Sequence, residues 1–139
     1  MSDCLFCKII SGEIPSQKIY EDRSVLAFLD MNPCNPGHAL VVPKRHCEKL
    51  LDASGEDLRS IISVIPRIAA AILKAFNYKA FNLGVNNGAI AGQVIPHLHF
   101  HIVPRKEGDG YELFRGVRAE PVALEDAAER IKTVLAKEN

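Results

Sequence analysis

The 139-residue sequence contains no tryptophan, few aromatic residues and no excess of charge of either sign. Lysine and arginine together number 17, and so do aspartate and glutamate. A nucleic-acid-binding surface would be basic, and a membrane-binding surface would carry a run of one charge. We therefore expect neither nucleic acid nor a membrane as a partner.

Long apolar runs are also missing. No stretch approaches the ~20 consecutive apolar residues that a membrane-spanning helix needs. Residues 1–4 do not show the basic segment followed by an apolar one that marks a signal peptide. We therefore expect a cytoplasmic protein, in which cysteines are thiols or metal ligands rather than disulfides. The four cysteines are Cys4, Cys7, Cys34 and Cys47.

The composition favours one folded domain over residues 1–139. Hydrophobic residues make up 47% and charged residues 24%, which is close to the globular average. Apolar spacing and turn residues predict the elements in this order: a short helix at 4–12, strands at 18–21, 25–30 and 38–43, a long helix at 54–76, strands at 80–86 and 96–104, and a helix at 124–137. Without regular βαβ alternation, this order predicts an α+β fold with a mostly antiparallel five-stranded sheet.

The long helix shows the clearest periodicity. Ser54 and Asp57 resemble a capping box at its start. Pro66 removes one backbone hydrogen bond inside the helix and predicts a kink. The apolar residues predict a stripe that packs in the core, consisting of Leu58, Ile61, Ile62, Ile65, Ile68, Ala69, Ile72 and Phe76.

Histidine alternates with apolar residues in the segment 96–104. In a strand, successive side chains point to opposite faces, so the three histidines would share one face. The other face would carry Leu98, Phe100 and Ile102 and pack on the core. Three interpretations stay open: a chance pattern, metal binding, or acid–base and nucleophilic chemistry near neutral pH. The three histidines are His97, His99 and His101.

Two other features bear on these interpretations. Cys4 and Cys7 have the two-residue gap of a zinc knuckle, which alone is ambiguous between zinc, redox chemistry and chance. The small-residue loop at 87–93 is either an ordinary turn or a backbone cradle for a phosphate.

The sequence resembles the histidine triad (HIT) family. The segment His97-Leu98-His99-Phe100-His101-Ile102-Val103 resembles the family signature. Four further segments resemble its other landmarks in the same order: residues 4–10, 12–15, 26–30 and 37–44, followed by Gly92-Gln93. The resemblance covers a core of about residues 4–105, leaves 106–139 as a C-terminal extension, and is closest to the nucleotide-binding branch of bacteria and archaea. It implies a HIT-like fold.

The resemblance also implies roles for individual residues. The catalytic residues would be His99 as the nucleophile, with His101, His38 and His97 in support. The nucleotide-binding residues would be Phe6, Ile9, Phe28 and Met31 around the base, Asp30 at the ribose, and Asn86, Gly92, Gln93, Val94, His99 and His101 around the phosphate. The apolar residues have an alternative role as plain core, and Asp30 as a turn cap. Val94 departs from related branches, which often carry a hydroxyl residue there, so that hydroxyl contact to phosphate is lost.

Zinc is the cofactor that the resemblance implies. Cys4, Cys7, His46 and His97 would form a closed Cys2His2 tetrahedron, which is typical of structural zinc. The alternative is that the two cysteines are partly buried thiols on a short helix.

The implied activity is hydrolysis or transfer of nucleoside monophosphate derivatives. AMP phosphoramidates or acyl-adenylates would react through a covalent nucleotidyl-histidine, as a purine nucleoside phosphoramidase does. Two alternatives are a dinucleoside polyphosphate hydrolase and a non-catalytic nucleotide-binding scaffold. Family analogy further implies a twofold homodimer.

Overall fold

The computed structural model describes residues 3–112 and 114–138. These residues form three α-helices, five strands and two short 3₁₀ helices at Leu50–Asp52 and Ala89–Ala91. The helices and strands are α1 (Leu5–Ile10), β1 (Lys18–Glu21), β2 (Val25–Leu29), β3 (Ala39–Pro43), α2 (Gly55–Phe76), β4 (Ala80–Val85), β5 (Phe100–Arg105) and α3 (Pro121–Lys137). Among the described helices, none combines the length and apolar character that a membrane crossing requires.

The five strands form one sheet in the order β1-β2-β3-β5-β4, and every neighbouring pair is antiparallel. The predicted α+β fold with an antiparallel five-stranded sheet is therefore confirmed. Strand β5 lies between β3 and β4, with His101 opposite Leu40 on one side and Gly84 on the other. The histidine-rich segment thus enters the interior of the sheet.

The two faces of the sheet are covered by different helices. Leu98, Phe100 and Ile102 are buried in a cluster with the apolar side of α2. A second cluster on the other face contains Phe6 and Ile9 of α1, and the Phe6 ring contacts His97 and His99. The alternation of apolar and histidine faces is confirmed, and α1 is the helix that covers the histidine face.

The histidine strand is shorter than the sequence predicts. Strand β5 begins at Phe100, so His97 and His99 precede it. The amide of Leu98 donates to the carbonyl of Cys47 instead of to a neighbouring strand, at 2.7 Å. Extended backbone continues the alternation of side chains, although the ladder of strand hydrogen bonds has not yet begun.

Helix α2 begins where its cap predicts, and the kink expected at Pro66 stays a prediction. Ser54 Oγ accepts the amide of Asp57 at 3.0 Å, and the helix starts at Gly55. The helix continues across Pro66 without a break. Pro66 and Ile62 both lie on the exposed side, where water can bind the carbonyl that proline leaves free.

The buried stripe of α2 differs from the predicted stripe at three positions. Ile62 and Phe76 belong to the predicted stripe but are 52% and 50% exposed. Val64 is buried although the prediction omitted it. The buried apolar residues of α2 are Ile61, Val64, Ile65, Ile68, Ala69 and Ile72.

The C-terminal helix α3 starts at Pro121, three residues before the predicted position. Proline suits the first turn of a helix, because the amide it lacks has no partner there in any case. None of the described side chains of α3 is buried. The division into a core at about 4–105 and an extension at 106–139 stays a prediction.

Gly37 sets the approach of a loop to helix α2. Its φ angle is +95°, a conformation that disfavours residues with a Cβ atom. A Cβ atom there would lie 3.0 Å from Ile72 Cγ2 and 3.0 Å from the Phe76 ring. Because His38 follows directly, this close approach also fixes where His38 enters the sheet.

We predict that Gly37→Ala lowers the free energy of unfolding by about 3 kcal/mol, since left-handed strain costs roughly 1–2 kcal/mol and overpacking roughly 1–3 kcal/mol. Gly12→Ala is the matched control, because Gly12 has φ +83° and a Cβ atom there would meet nothing within 4 Å. It should cost only about 1 kcal/mol. Urea unfolding measures both variants, and equal losses would contradict the packing role of Gly37.

Candidate functional site

His99 has one ring nitrogen fixed by the backbone and one left free. Its Nδ1 lies 2.7 Å from the carbonyl oxygen of His97. A carbonyl only accepts, so Nδ1 carries the proton and the neutral ring keeps its lone pair on Nε2. The ring is 6% exposed and lies edge-on to Phe6, with 5.0 Å between centroids. This arrangement leaves a lone pair on Nε2, which is what a nucleophilic nitrogen requires.

His38 and His101 form a pair whose protons are also fixed. The backbone amide of Cys34 donates to His38 Nδ1 at 3.1 Å, so the neutral His38 ring carries its proton on Nε2. That nitrogen lies 3.0 Å from His101 Nδ1 and donates to it. The neutral His101 ring therefore carries its own proton on Nε2, where it is available to a ligand.

Both rings of this pair are neutral at pH 7. Burial lowers the pKa of His101 to about 4, and the nearby rings of His99 and His38 act in the same direction. Burial also lowers the pKa of His38, while the Asp30 carboxylate acts in the opposite direction. His101 is therefore a neutral hydrogen-bond donor rather than a cationic acid.

Asp30 lies beside this histidine pair. Its Oδ2 atom is 3.5 Å from His38 Nε2, and its Oδ1 atom accepts the amide of Asn32 at 2.8 Å. Its own amide donates to the carbonyl of His38 at 2.9 Å. The carboxylate is thus held at the exit of β2, close to the triad.

The residues expected around a base do not share one environment. Phe6, Ile9 and Phe28 are buried in the cluster beneath α1, and Phe6 contacts the ring of Phe28. Met31 is instead 92% exposed. The structure brings the first three together near His99 and leaves Met31 at the surface.

The loop expected around a phosphate is held by its own glutamine. The Gln93 side chain accepts the amide of Gly88 at 2.8 Å and donates to the carbonyls of Glu48 at 2.7 Å and Ile95 at 3.1 Å. Its amide group therefore shapes the loop. Gly92 has φ +94°, and a Cβ atom there would lie 3.4 Å from Asn86 Nδ2. Val94 is 84% exposed.

Cys4, Cys7, His46 and His97 converge on one point, which confirms their predicted proximity. His97 Nδ1 lies 3.4 Å from Cys4 Sγ, 3.6 Å from Cys7 Sγ and 3.1 Å from His46 Nδ1. Cys7 Sγ lies 3.4 Å from His46 Nδ1. A zinc tetrahedron requires about 3.3 Å between nitrogens and about 3.6 Å between nitrogen and sulfur, given usual bond lengths. These four residues fit zinc.

The proton on His97 supports the same conclusion. Its Nε2 donates to the carbonyl of Pro43 at 2.9 Å, so Nδ1 keeps a lone pair directed at the cysteines. Burial lowers the pKa of His97 and favours the neutral ring that a metal requires. Cys4 is the N-cap of α1, with its Sγ 3.4 Å from the amide of Cys7.

A second group, formed by Asp30, His38 and His101, is also compact enough for a metal. Its proton positions argue against one. His38 Nδ1 already accepts the Cys34 amide, so Nε2 keeps its proton and has no lone pair for an ion. The two clusters therefore differ in chemistry although both contain two histidines.

Three contacts of the site were not expected from the sequence. They are the Cys34 amide, the Pro43 carbonyl and the buried side chain of Asn35. Backbone groups leave no signal in a sequence. For Asn35 the only indication is a polar residue in a turn segment, next to Pro36 and Gly37.

Two proteins similar to this chain have names that describe an enzyme activity. Adenylylsulfatase HINT3 of Arabidopsis thaliana is 45% identical over 130 residues, which cover 94% of this chain and 66% of that protein. Adenosine 5'-monophosphoramidase hnt1 of Schizosaccharomyces pombe is 40% identical over 123 residues, covering 88% of this chain and 89% of that protein. These relatives support a nucleotide hydrolase.

Solved structures share the fold. SMU.412c of Streptococcus mutans superposes with a TM-score of 0.91 at 42% identity, covering 97% of this chain and 87% of that one. A zinc-bound histidine triad family protein of Mycobacterium smegmatis superposes with a TM-score of 0.75 at 35% identity, covering 91% and 98%. The family model described as HIT domain matches residues 11–108. The chain therefore belongs to the histidine triad (HIT) family.

Proposed function

We propose that this protein hydrolyses or transfers AMP from phosphoramidates or acyl-adenylates through a covalent intermediate on His99. One observation carries the proposal: the His97 carbonyl holds the Nδ1 proton of His99 and leaves its Nε2 as a nucleophile. The neutral donor on His101 lies beside it, with 5.0 Å between the ring centroids. The names of the phosphoramidase and adenylylsulfatase relatives support an adenylate substrate.

In the first step His99 Nε2 attacks the α-phosphorus. The bond between phosphorus and the leaving atom breaks, and its electron pair stays on the leaving group. A phosphoramidate nitrogen takes a proton from solvent and leaves as the amine, whereas an acyl-adenylate releases its carboxylate. The ring becomes cationic while its Nδ1–H still donates to the His97 carbonyl, which stabilises the charge. His101 Nε2–H stabilises the negative charge that develops on a phosphoryl oxygen.

In the second step water attacks the phosphorus of the nucleotidyl-histidine. The bond from Nε2 to phosphorus breaks, its electron pair returns to the ring, and one proton is released as AMP leaves. Covalent catalysis replaces one difficult displacement by two easier ones. His38 supports the donor by holding the His101 ring through the 3.0 Å contact.

In this proposal the nucleotide binds beside α1, next to His99. Phe6, Ile9 and Phe28 form the wall for the base, and Met31 contributes from the surface rim. Asp30 accepts a hydrogen bond from the ribose hydroxyls. The backbone amides of Gly92, Gln93 and Val94, with the Asn86 side chain, contact the phosphate. The exposed Val94 side chain contributes no hydroxyl.

We also propose that zinc is a structural cofactor held by Cys4, Cys7, His46 and His97. All four positions are protein ligands, so the metal would cross-link the chain and take no part in the reaction. It would fasten the start of α1 to the exit of β3 and to the backbone just before His99. The supporting observation is the match of four side-chain distances to a tetrahedron.

A twofold homodimer is part of the proposal. Strand β4 forms one edge of the sheet, where backbone groups are available for pairing with another chain. Phe81 and Leu83 of this strand are 38% and 43% exposed. An exposed apolar edge of this kind favours association with a second copy.

We predict that His99→Ala lowers AMP release from an AMP phosphoramidate by a factor of about 10³ or more, because the covalent route is lost. Acid-quenched wild-type protein should carry a nucleotidyl group on His99, detected by peptide mass spectrometry. Lys132→Ala on the exposed helix α3 is the control and should turn over at the wild-type rate.

Three results would contradict this prediction. Unchanged turnover in His99→Ala would show that His99 is not the nucleophile. Turnover of dinucleoside tetraphosphate far above that of the phosphoramidate would favour the dinucleoside polyphosphate hydrolase. Nucleotide binding without any turnover would favour the scaffold.

We predict about one zinc ion per chain after purification without chelators. Elemental analysis should find the same content in Cys34→Ser, whose side chain lies outside the cluster, and much less in Cys7→Ser. Removing zinc with a chelator should lower the melting temperature of the wild type, because binding stabilises only the folded state. Equal zinc content in both variants would rule out this ligand set.

We predict that acid destabilises the fold through His38 and His101. Their pKa values are lower in the folded state than the ordinary value of 6.5, about 4 for His101, so the unfolded chain binds more protons in between. The free energy of unfolding should have its highest value above pH 6.5 and should decrease as the pH falls toward 4. Urea titrations should show a shallower pH slope for His101→Gln, and an unchanged slope would contradict the assignment.

A further inference from the structure

We infer that Asn35 is a positioning residue that holds the Cys34 amide on His38 and thereby gives His101 its outward N–H. The inference deepens the proposed function, since it takes His101 Nε2–H as the donor to phosphate. It concerns neither the nucleophile nor the metal cluster. It makes the proton position on His101 depend on a clamp at the far end of β5. This clamp consists of the hydrogen bonds from the Asn35 side chain to Pro104 and Asp109.

Asn35 fastens the loop between β2 and β3 to strand β5. Its side chain is 5% exposed, and its Nδ2 donates to the carbonyl of Pro104 at 2.9 Å and to Asp109 Oδ2 at 3.1 Å. Its backbone carbonyl accepts the amide of His38 at 3.1 Å. A buried residue whose side-chain Nδ2 and backbone carbonyl are both hydrogen-bonded restrains the backbone on either side of it, and Cys34 is the adjacent residue.

The clamp has a rigid partner. Two nitrogens of Arg105 donate to the Asp109 carboxylate at 2.8 and 2.9 Å, and the amides of Lys106 and Tyr111 donate to it as well. A carboxylate held by so many donors keeps one orientation. Asn35 therefore donates to a carboxylate whose orientation is fixed.

The Cys34 amide selects one of two proton arrangements in the histidine pair. When the Cys34 amide donates to His38 Nδ1, the proton of His38 is on Nε2 and is donated to His101 Nδ1. The proton of His101 is then on its Nε2. In the reverse arrangement His101 Nδ1 would donate to His38 Nε2, and His101 Nε2 would carry only a lone pair. The Asp30 carboxylate, 3.5 Å from His38 Nε2, favours the first arrangement from a greater distance.

Loss of the clamp should therefore act on chemistry more than on binding. Where the reverse arrangement is populated, a lone pair faces the phosphoryl oxygen in place of a donor. The hydrogen bond lost is one that strengthens as charge develops in the transition state, so kcat falls while KM stays. A purely structural Asn35 would change stability without moving a proton.

The test measures proton positions directly. In the full-length, zinc-loaded protein labelled with ¹⁵N-histidine, long-range ¹H–¹⁵N correlation at pH 7.5 distinguishes a protonated from an unprotonated ring nitrogen. In the wild type we expect His38 and His101 to be protonated at Nε2 only. In Asn35→Ala we expect intermediate ¹⁵N shifts for His38, and kcat lowered about tenfold with KM within about twofold.

Asn82→Ala is the matched control. Asn82 Oδ1 accepts from Arg105 Nη1 at 2.7 Å, so the variant weakens the same network without touching Asn35. It should lose stability while its His38 signals and kcat stay at the wild-type values. If Asn35→Ala does not fold, Asp109→Ala weakens the clamp from the other side and should show the same shift of His38.

Each outcome decides the inference. Wild-type His38 protonated at Nδ1 would overturn it without any variant. Wild-type proton positions in a folded Asn35→Ala or Asp109→Ala would also overturn it, because the clamp would then not control the proton positions of His38 and His101. If the proton positions shift as expected but His101→Gln keeps its kcat, the inference about the clamp stands and the proposed role of His101 fails.

Discussion

Backbone groups decide where the protons lie in the histidine cluster, and every other property of the site depends on them. The carbonyl of His97 accepts from His99, the carbonyl of Pro43 accepts from His97, and the amide of Cys34 donates to His38. A neutral imidazole has one proton for two nitrogens, so a fixed partner on one nitrogen decides what the other can do. In the proposed function, one residue type therefore supplies a metal ligand, a nucleophile and a donor within a few ångströms. Side chains alone would leave each ring free to choose between two tautomers.

The fold places these backbone groups through two separate layers of packing. Leu98, Phe100 and Ile102 fix the histidine segment to the core under α2, while α1 closes over the opposite face through Phe6. The apolar residues thus set the height and rotation of the segment, and the histidines take the face that remains. Close packing of a loop on α2 at Gly37 then delivers His38 to the same face. The core and the histidine cluster lie on opposite faces of the same backbone segment, so we expect a packing change under α2 to shift the histidines.

Whether a feature of this structure could be predicted from the sequence depends on whether the side-chain pattern or the backbone geometry determines it. Alternation around His99 predicted the shared face, and apolar spacing predicted α2 with its start at Ser54, because both follow from regular periodicity. The strand start at Phe100 was missed, since periodicity of two continues in extended backbone outside a ladder. The exposure of Met31 and the internal hydrogen bonds of Gln93 were also missed. They depend on how a loop turns, and residue type does not fix that.

His97 joins the two halves of the site in a single residue. Its ring faces the cysteines, with Nδ1 directed at the four-residue cluster, while its carbonyl accepts the Nδ1 proton of His99. Rotation of the His97 backbone would therefore disturb both the cluster and the proton position on His99. The Pro43 carbonyl, at the end of β3, opposes that rotation by holding the other ring nitrogen. A cross-link at Cys4 and Cys7 would add a second restraint on His97. The arrangement of the four-residue cluster and the proton position on His99 therefore both depend on a fixed backbone at His97.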